Sequence, residues 1–465
     1  MGSEVISLDH APDRGQVRHR IVQQPATLKM NKRIALYPII FFQIYLTVSV
    51  LTFAFGPMAW PVSNPWQLYT FLFLAQVGLF VGYRSAIRVQ PRSASTKIRV
   101  PVMVTVSLVF NYLWIGKTYQ IRTGLPDIDL GTAIKMVIAG LTSPGQQYSD
   151  KFSNYQTFGG QGTTIMDYIT LLLFPVMWVA FPLGVFFWKQ LSFPVRVALV
   201  GWIILDLSTW IAAGTNKGIA DFVLLLPCML VARNPAMLMK IRRRNMIGIG
   251  LITIIGVAAL FTFFSMGVLG RSGGKGDLLS DAAAGVSADL DNPILKYSPS
   301  ALRGQIVSFT SYFTQGYYGL SLSLKEPFVF CYGVGNSYFL EGLSRHLVST
   351  PIMFDTYPGR IEARGWATYG KWHSIYPWIA SDLSFPGTIV FMFVLGWLFA
   401  VVWLDVVFCR NPWAVCLLPL LIIMLFYIPA NNQVLGFSTA AIPFWTLLFL
   451  WYFSRTGVRQ NERRV

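Results

Sequence analysis

Apolar runs, each close to the length of one membrane crossing, alternate with short polar links over most of this chain. A helix needs about 20 predominantly apolar residues to cross a hydrocarbon core, where lipid offers no partner to a bare backbone N–H or C=O. Runs of that kind lie near 34–56, 64–83, 98–116, 165–188, 194–213, 216–232, 246–268, 386–408, 413–430 and 437–454. Between the seventh and eighth runs, over 269–385, the pattern turns polar, aromatic and cationic. Inside that stretch Ile306, Phe309, Phe313 and Tyr317 recur at helical spacing. They predict an amphipathic helix over 302–322, suited to a membrane interface. Residues 273–291, rich in Gly, Ala, Ser and Asp, predict a loop, and 328–340 is apolar but short enough to be a re-entrant piece.

The expectation is an all-α polytopic membrane protein with about 10–11 transmembrane helices and a large extracytoplasmic loop in its second half. Its parts are a tail at 1–33, a first bundle of seven spans at 34–268, the loop at 269–385, three last spans at 386–454 and a tail at 455–465. Composition agrees: of 465 residues 54% are hydrophobic and 12% charged, against about 25% charged in soluble domains.

The net charge of +17 changes the picture through its placement. The first tail carries Arg14, Arg18, Arg20, Lys29, Lys32 and Arg33, and the link after the second run Arg84, Arg88, Arg92 and Lys97. Lys189 falls in the fourth link, Arg233, Lys240, Arg242, Arg243 and Arg244 in the sixth, and Arg410 in the eighth. Arg455, Arg459, Arg463 and Arg464 follow the last run, while the odd links at 57–63 and 431–436 hold no Lys or Arg. With the N-terminus inside, every even link is basic, as the positive-inside rule requires. Both termini are then cytoplasmic, and 117–164 and 269–385 face outward. Such charges meet anionic lipid, so nucleic acid is not an expected partner. No apolar h-region precedes Ile34, which makes the start a tail and not a signal peptide. Three of the four cysteines, Cys228, Cys409 and Cys416, lie in or beside the runs and only Cys331 in the loop, so neither a disulfide framework nor a metal site is expected. No P-loop, GxSxG or HExxH occurs. The first outer link, 57–63, has no acidic residue, which argues against membrane transferases that hang a metal on a carboxylate there.

Three constellations can carry chemistry. At the junction of the fifth and sixth runs, Gly214-Thr215-Asn216-Lys217 puts small residues, a helix N-terminus and a cation together, which suits an anion. A tight hairpin with a snorkelling Lys217 explains it equally well. Asp221 lies four residues on, where an ion pair with Lys217 is the default, and Asp206 needs a partner from another helix. Next, Gly270-Arg271 with the glycines after it suits a guanidinium clamp on phosphate, or simply an interfacial Arg before a loop. The richest stretch is 357–382, with Arg360, Arg364, Lys371, His373 and Asp382 among Trp366, Trp372, Tyr376 and Trp378. Cations for phosphate beside a His or Asp base suit group transfer from a pyrophosphate donor, and aromatic faces suit sugar rings. An interfacial aromatic belt accounts for the Trp and Tyr but less well for His373 and the paired arginines. Asp382 also suits a helix cap.

On these features, residues 214–221, Gly270-Arg271 and the stretch from His373 to Gly387, the chain resembles the O-antigen polymerase (Wzy) and oligosaccharide repeat-unit polymerase family. Where such proteins often carry Arg at the first place, this one has Lys217, which lacks the bidentate fork. The resemblance implies a metal-independent, inverting glycosyl transfer at the outer face of a bacterial inner membrane, with no cofactor. Its substrates would be oligosaccharides linked to undecaprenyl pyrophosphate, and its partners membrane lipids, a chain-length regulator and a flippase. By the same resemblance Arg271, Arg360, Arg364 and Lys217 would hold the pyrophosphate, His373 would activate the acceptor hydroxyl, and Asp382 would orient or replace it. Trp366, Trp372, Tyr376 and Trp378 would line the sugar groove. The competing readings are an O-antigen ligase, a transporter or flippase of a lipid-linked or polar solute, and a non-catalytic subunit of a polysaccharide machine.

Overall fold

The computed structural model describes residues 32–95, 98–158, 165–235, 261–262, 264–265, 267, 278–344 and 351–456. Most of the predicted seventh run, together with Arg271, lies outside the described residues, as do 1–31 and 457–465. The described chain is mostly helical. The sole named strands among those residues are the two-residue pair β1 (Ser280–Asp281) and β2 (Val286–Ser287). Five helices among them are long and apolar enough to cross a membrane, or six if one pair bent by 57° counts as a broken span.

Helices α1 (Lys32–Phe55) and α2 (Pro65–Ala86) follow the first two runs. The third run becomes the bent pair α3 (Val100–Leu113) and α4 (Ile115–Thr123). The next three become α7 (Ile165–Trp178) continued by α8 (Ala180–Phe186), α9 (Phe193–Ala212) and α10 (Lys217–Arg233). Between α4 and α7, where the sequence suggested an outer loop, the chain folds into α5 (Leu130–Thr142) and α6 (Pro144–Phe158). Helix α5 exposes Leu130, Ile134, Ile138 and Leu141 along one face and buries Ala133 and Gly140 on another. A Cβ at Gly140 would stand 1.9 Å from the Ile211 carbonyl of α9, so only glycine permits this approach.

In the second half come α11 (Pro293–Lys296), α12 (Ser300–Ser323), α13 (Tyr338–Ser344) and α14 (Tyr357–Ile361). Then follow α15 (Ile375–Cys409), α16 (Pro412–Phe426) and α17 (Ser438–Thr456). The helix expected over 302–322 forms as α12, but it enters the fold instead of lying on its surface. Its second half, from Gly316 to Ser321, is buried, and Tyr317 exchanges a hydrogen bond with Ser49 of α1 at 2.8 Å. Residues 328–336 form an extended strip and turns, with Phe328, Val329, Phe330 and Tyr332 exposed.

The tightest seam joins α2 to α15. Gly78 and Gly82 form a small-xxx-small pair on α2, and Gly396 answers from α15. A Cβ at Gly82 would fall 1.9 Å from the Phe393 carbonyl, and one at Gly396 2.1 Å from that of Leu79. At the far end of α15, the fully buried Asp405 accepts from the Arg92 N–H at 2.7 Å and the Trp451 indole at 2.9 Å. Arg455 lies 3.0 Å from the same carboxylate. One buried charge thereby ties the link after α2 to α15 and α17, with its lone pairs satisfied as burial of a carboxylate requires.

Gly82→Leu is expected to push this seam apart and cost at least about 1–3 kcal/mol, the usual penalty of overpacking. Gly116→Ala, where an added Cβ meets nothing within 4 Å, should be neutral or slightly stabilising. Thermal unfolding of both purified variants in one detergent checks the contrast; equal midpoints would remove the seam from this account.

Candidate functional site

At the end of α15 opposite Asp405, the helix is interrupted. Ser384 has φ 62° and ψ 169°, and Pro386 shortly after lacks an N–H. Ser374, just before the helix, has φ 59° and ψ 171°. Two non-glycine residues in sparsely populated backbone thus bracket a short helical piece, 375–383. Such conformations persist only where the surroundings enforce them. Here the Ser374 and Ile375 N–H groups donate to Ala430 and Ile428 carbonyls at 2.8 and 3.0 Å. From Ile375 to Asp382 every residue is buried.

The last turn of that piece organises its neighbours. Asp382 Oδ1 accepts from the N–H groups of Gly333 at 2.9 Å and Gly335 at 3.3 Å. Its Oδ2 accepts from the Asn336 N–H at 2.9 Å and side-chain amide at 2.7 Å. Ser381 Oγ accepts from the Tyr357 N–H at 3.0 Å, so α14 hangs from the same turn. Asp382 therefore clamps the 333–336 turn, a task that occupies both carboxylate oxygens.

Helix α14 presents Arg360. Its guanidinium lies over the Tyr357 ring at 4.6 Å and reaches Glu326 at 4.0 Å. Arg360 Nε and Nη2 are buried and have no hydrogen-bond partner among the described residues. Arg364 pairs with the same Glu326 and is 44% exposed. Two guanidinium groups share one carboxylate, which leaves a net positive charge with donors to spare. The sequence reading missed Glu326; its one signal was an isolated acid at the Lys325-Glu326-Pro327 step.

His373 is 0% exposed, and its Nε2 lies 3.2 Å from the Ala367 carbonyl. Its Nδ1 has no partner among the described residues. Burial pushes its pKa down to about 4, against two backbone carbonyl contacts that act the other way. The imidazole is neutral at pH 7. The aromatic residues expected on a sugar groove are mostly interior in this conformation. Trp366 meets Trp60 and Tyr318 edge-on and donates to the Trp372 carbonyl at 3.0 Å. Trp378 packs on Tyr338 at 4.4 Å and Tyr376 on Phe71 at 5.2 Å. Trp372 alone of the four is half-buried, edge-on to Tyr312 at 5.3 Å. Lys371 pairs with Asp281 at 2.7 Å.

Lys217 stands in a second cluster. It donates to Asp221 at 2.6 Å, as their spacing predicts, and its ammonium lies 5.8 Å from the Trp210 ring and 5.7 Å from that of Tyr427. Asp206 finds its partner in Arg122 of α4 at 2.9 Å, and Arg122 in turn lies over Trp210 at 4.0 Å. Arg360 and Arg364 are brought together, with Asp382 and His373 at the two ends of one helical piece, while Lys217 pairs elsewhere. Arg271 lies outside the described residues. Among those residues no three His, Cys, Asp or Glu side chains gather as a metal site would need. An apolar crevice of 390 Å³ between α3 and α9, lined by Leu108, Val109, Leu113, Pro194, Val195 and Ala198, shares no residue with either cluster.

Because the folded state holds His373 neutral down to about pH 4 while the unfolded chain protonates it near 6.5, stability falls as pH drops through that window. The loss is about 3 kcal/mol at most. His373→Gln should flatten that part of the pH–stability curve, measured by thermal unfolding in detergent from pH 7 to 4; identical slopes in both proteins would contradict it. Asp382→Ala should strand three backbone N–H groups and make 331–336 a fast site of limited proteolysis. Compared with known proteins, the chain matches no family model, no curated protein and no solved structure.

Proposed function

We propose that this protein is a membrane glycosyltransferase of the polysaccharide polymerase kind, which passes a glycan from undecaprenyl pyrophosphate to a lipid-linked repeat unit. The observation that carries this reading is Arg360: a guanidinium seated on Tyr357, half-neutralised by a shared Glu326, with two buried nitrogens unpartnered. That is a fork waiting for an anion, and a planar bidentate donor suits phosphate oxygens. Arg364 adds charge at the rim. In transfer from a pyrophosphate donor the leaving group accumulates negative charge, and fixed cations at that position lower the barrier. Asp382 and His373 act here as positioning groups, the first by clamping 333–336 and the second by packing neutrally beneath the 366–373 stretch. Trp366, Tyr376 and Trp378 form the rigid wall behind, and Trp372 is the ring open to a sugar.

Sidedness rests on charge. Arg84, Arg233, Arg410 and Arg455 sit at the C-terminal ends of α2, α10, α15 and α17, near Asp405 in the case of α15 and α17, and Arg196 at the N-terminal end of α9. By the positive-inside rule these ends are cytoplasmic, and the Arg360 end is extracytoplasmic. The same rule would put both termini inside; the ten spans rest on the apolar runs, and the bacterial inner membrane on the family resemblance.

A second reading, a transporter or flippase, is favoured by a different observation. Lys117–Asp167 at 2.7 Å, Arg122–Asp206 at 2.9 Å and Lys217–Asp221 at 2.6 Å fall within or at the ends of α4, α7, α9 and α10. Paired charges at membrane depth mark solute paths in many transporters.

The deciding experiment is glycan length on a gel in a deletion strain carrying wild type or Arg360→Gln at equal protein level. The polymerase reading expects single repeat units in the deletion, a ladder with wild type, and polymer reduced about 100-fold or more with Arg360→Gln. Repeat units left on undecaprenyl with none on lipid A core would make it a ligase. An unchanged ladder in the deletion, with solute movement in proteoliposomes, would favour the transporter.

A further inference from the structure

Glu326 and Asp281 are taken up by Arg360, Arg364 and Lys371, which leaves Asp382, His373 and Asp221 to be weighed as proton acceptors. Asp382 is saturated by four N–H contacts, and His373 is sealed from solvent. Asp221 differs from both. Its side chain is 15% exposed, and Oδ2 accepts from Lys217. Its Oδ1 has no hydrogen-bond partner among the described residues. Asn216, which precedes the helix, has both amide atoms buried in the same condition and makes no side-chain cap bond to α10.

Buried amide atoms without partners on Asn216, one turn before Asp221, are an expensive arrangement that a ligand would complete. The ligand they fit is not phosphate. Lys217 has its charge met by Asp221, so this cluster is close to neutral, unlike the arginines around Glu326. What remains is an acceptor on Asp221, an acceptor and a donor on Asn216, and aromatic rings. Trp210 lies flat against the start of α10, where a Cβ at Gly218 would come 2.2 Å from the indole. The Tyr427 hydroxyl shares a side-chain hydrogen bond with Asp221, and Tyr312 lies near Tyr427. Tyr312 in turn touches Trp372, the half-buried ring of the other cluster. A hydroxyl both gives and accepts hydrogen bonds, so these polar atoms suit a sugar hydroxyl, with the Trp210 ring held in place by Arg122 and α10.

We propose that the α9–α10 junction holds the acceptor sugar and that Asp221 is its general base; the proposal rests on the glycosyl-transfer reading above. The acceptor oxygen bonds to the anomeric carbon of the donor glycan while the bond from that carbon to the pyrophosphate oxygen breaks. The hydroxyl proton passes to Asp221 Oδ1. Undecaprenyl pyrophosphate leaves with the electron pair and is held by Arg360. Lys217 orients Asp221, and Asn216 aims the hydroxyl.

The test uses the full-length protein in two assays, polymer formation in the complemented deletion strain and binding of undecaprenyl pyrophosphate to protein in nanodiscs. Asp221→Asn should lower polymer about 100-fold or more yet bind undecaprenyl pyrophosphate like wild type. Asn216→Ala, which removes no charge, should lower polymer about 10-fold with the same binding. The double variant Lys217→Met with Asp221→Asn separates catalysis from ion pairing. If it stays without polymer while binding is retained, the base role stands; if the ladder returns, Asp221 is only a counter-ion and the proposal fails. Loss of undecaprenyl pyrophosphate binding in Asp221→Asn also overturns it, because the cluster would then belong to the donor side. Wild-type polymer in Asn216→Ala removes the sugar site. A full ladder in the deletion strain, with no undecaprenyl pyrophosphate binding by wild type, is a separate result: it defeats the glycosyl-transfer reading itself.

Discussion

Gly82 and Gly396 bring the backbones of α2 and α15 to a distance that no larger residue permits, with Gly78 closely packed beside them, and the remaining architecture takes its bearings from that seam. Between helices in lipid there is little hydrophobic drive, so close packing over small residues is a principal source of affinity. Once α15 is fixed, its two carboxylates fix what lies at either end. Asp405 gathers Arg92, Trp451 and Arg455. Asp382 gathers the 333–336 turn, and Ser381 beside it gathers α14. The placement of Arg360 is thus inherited: from a glycine seam to a helix, from its last buried turn to α14, and from α14 to a guanidinium.

The two polar clusters at that end differ in electrostatic character. Around Glu326 two arginines leave excess positive charge, whereas around Lys217 charge balances and unpaired neutral donors and acceptors remain. A reaction that joins a charged donor to an uncharged hydroxyl needs environments of these two kinds. The rings of Tyr312 and Trp372 lie between them.

Much of the helical order was legible in the chain, because apolar length is a strong local signal: α1, α2, α9 and α17 lie within a few residues of the runs that announced them. The Lys217–Asp221 pair was legible too, since it is set by one helical turn. What escaped was non-local. Arg122 meets Asp206 across 84 residues of chain, and nothing in either segment points to the other. Glu326 joins Arg360 and Arg364 in the same way. The long part of α15 begins after Ser384, where the run from 386 announced it, but the piece from Ile375 was hidden, because the polar groups of Ser381 and Asp382 are met by tertiary partners. The burial of Trp366 and Trp378 was hidden for the same reason: an aromatic residue reads alike on a groove wall and in a core.

The interruption at Ser384 has a consequence for how proteins of this design diverge. The 375–383 piece, the 333–336 turn and α14 form a unit joined to one another by Asp382 and Ser381, and set off from the long part of α15 by a single backbone break. Substitutions within that unit need not disturb the glycine seam. Lineages are therefore free to remodel the upper unit, and the chemistry it admits, at a different pace from the bundle. The spacing of the apolar runs can then stay the same while the sequence of the upper unit changes.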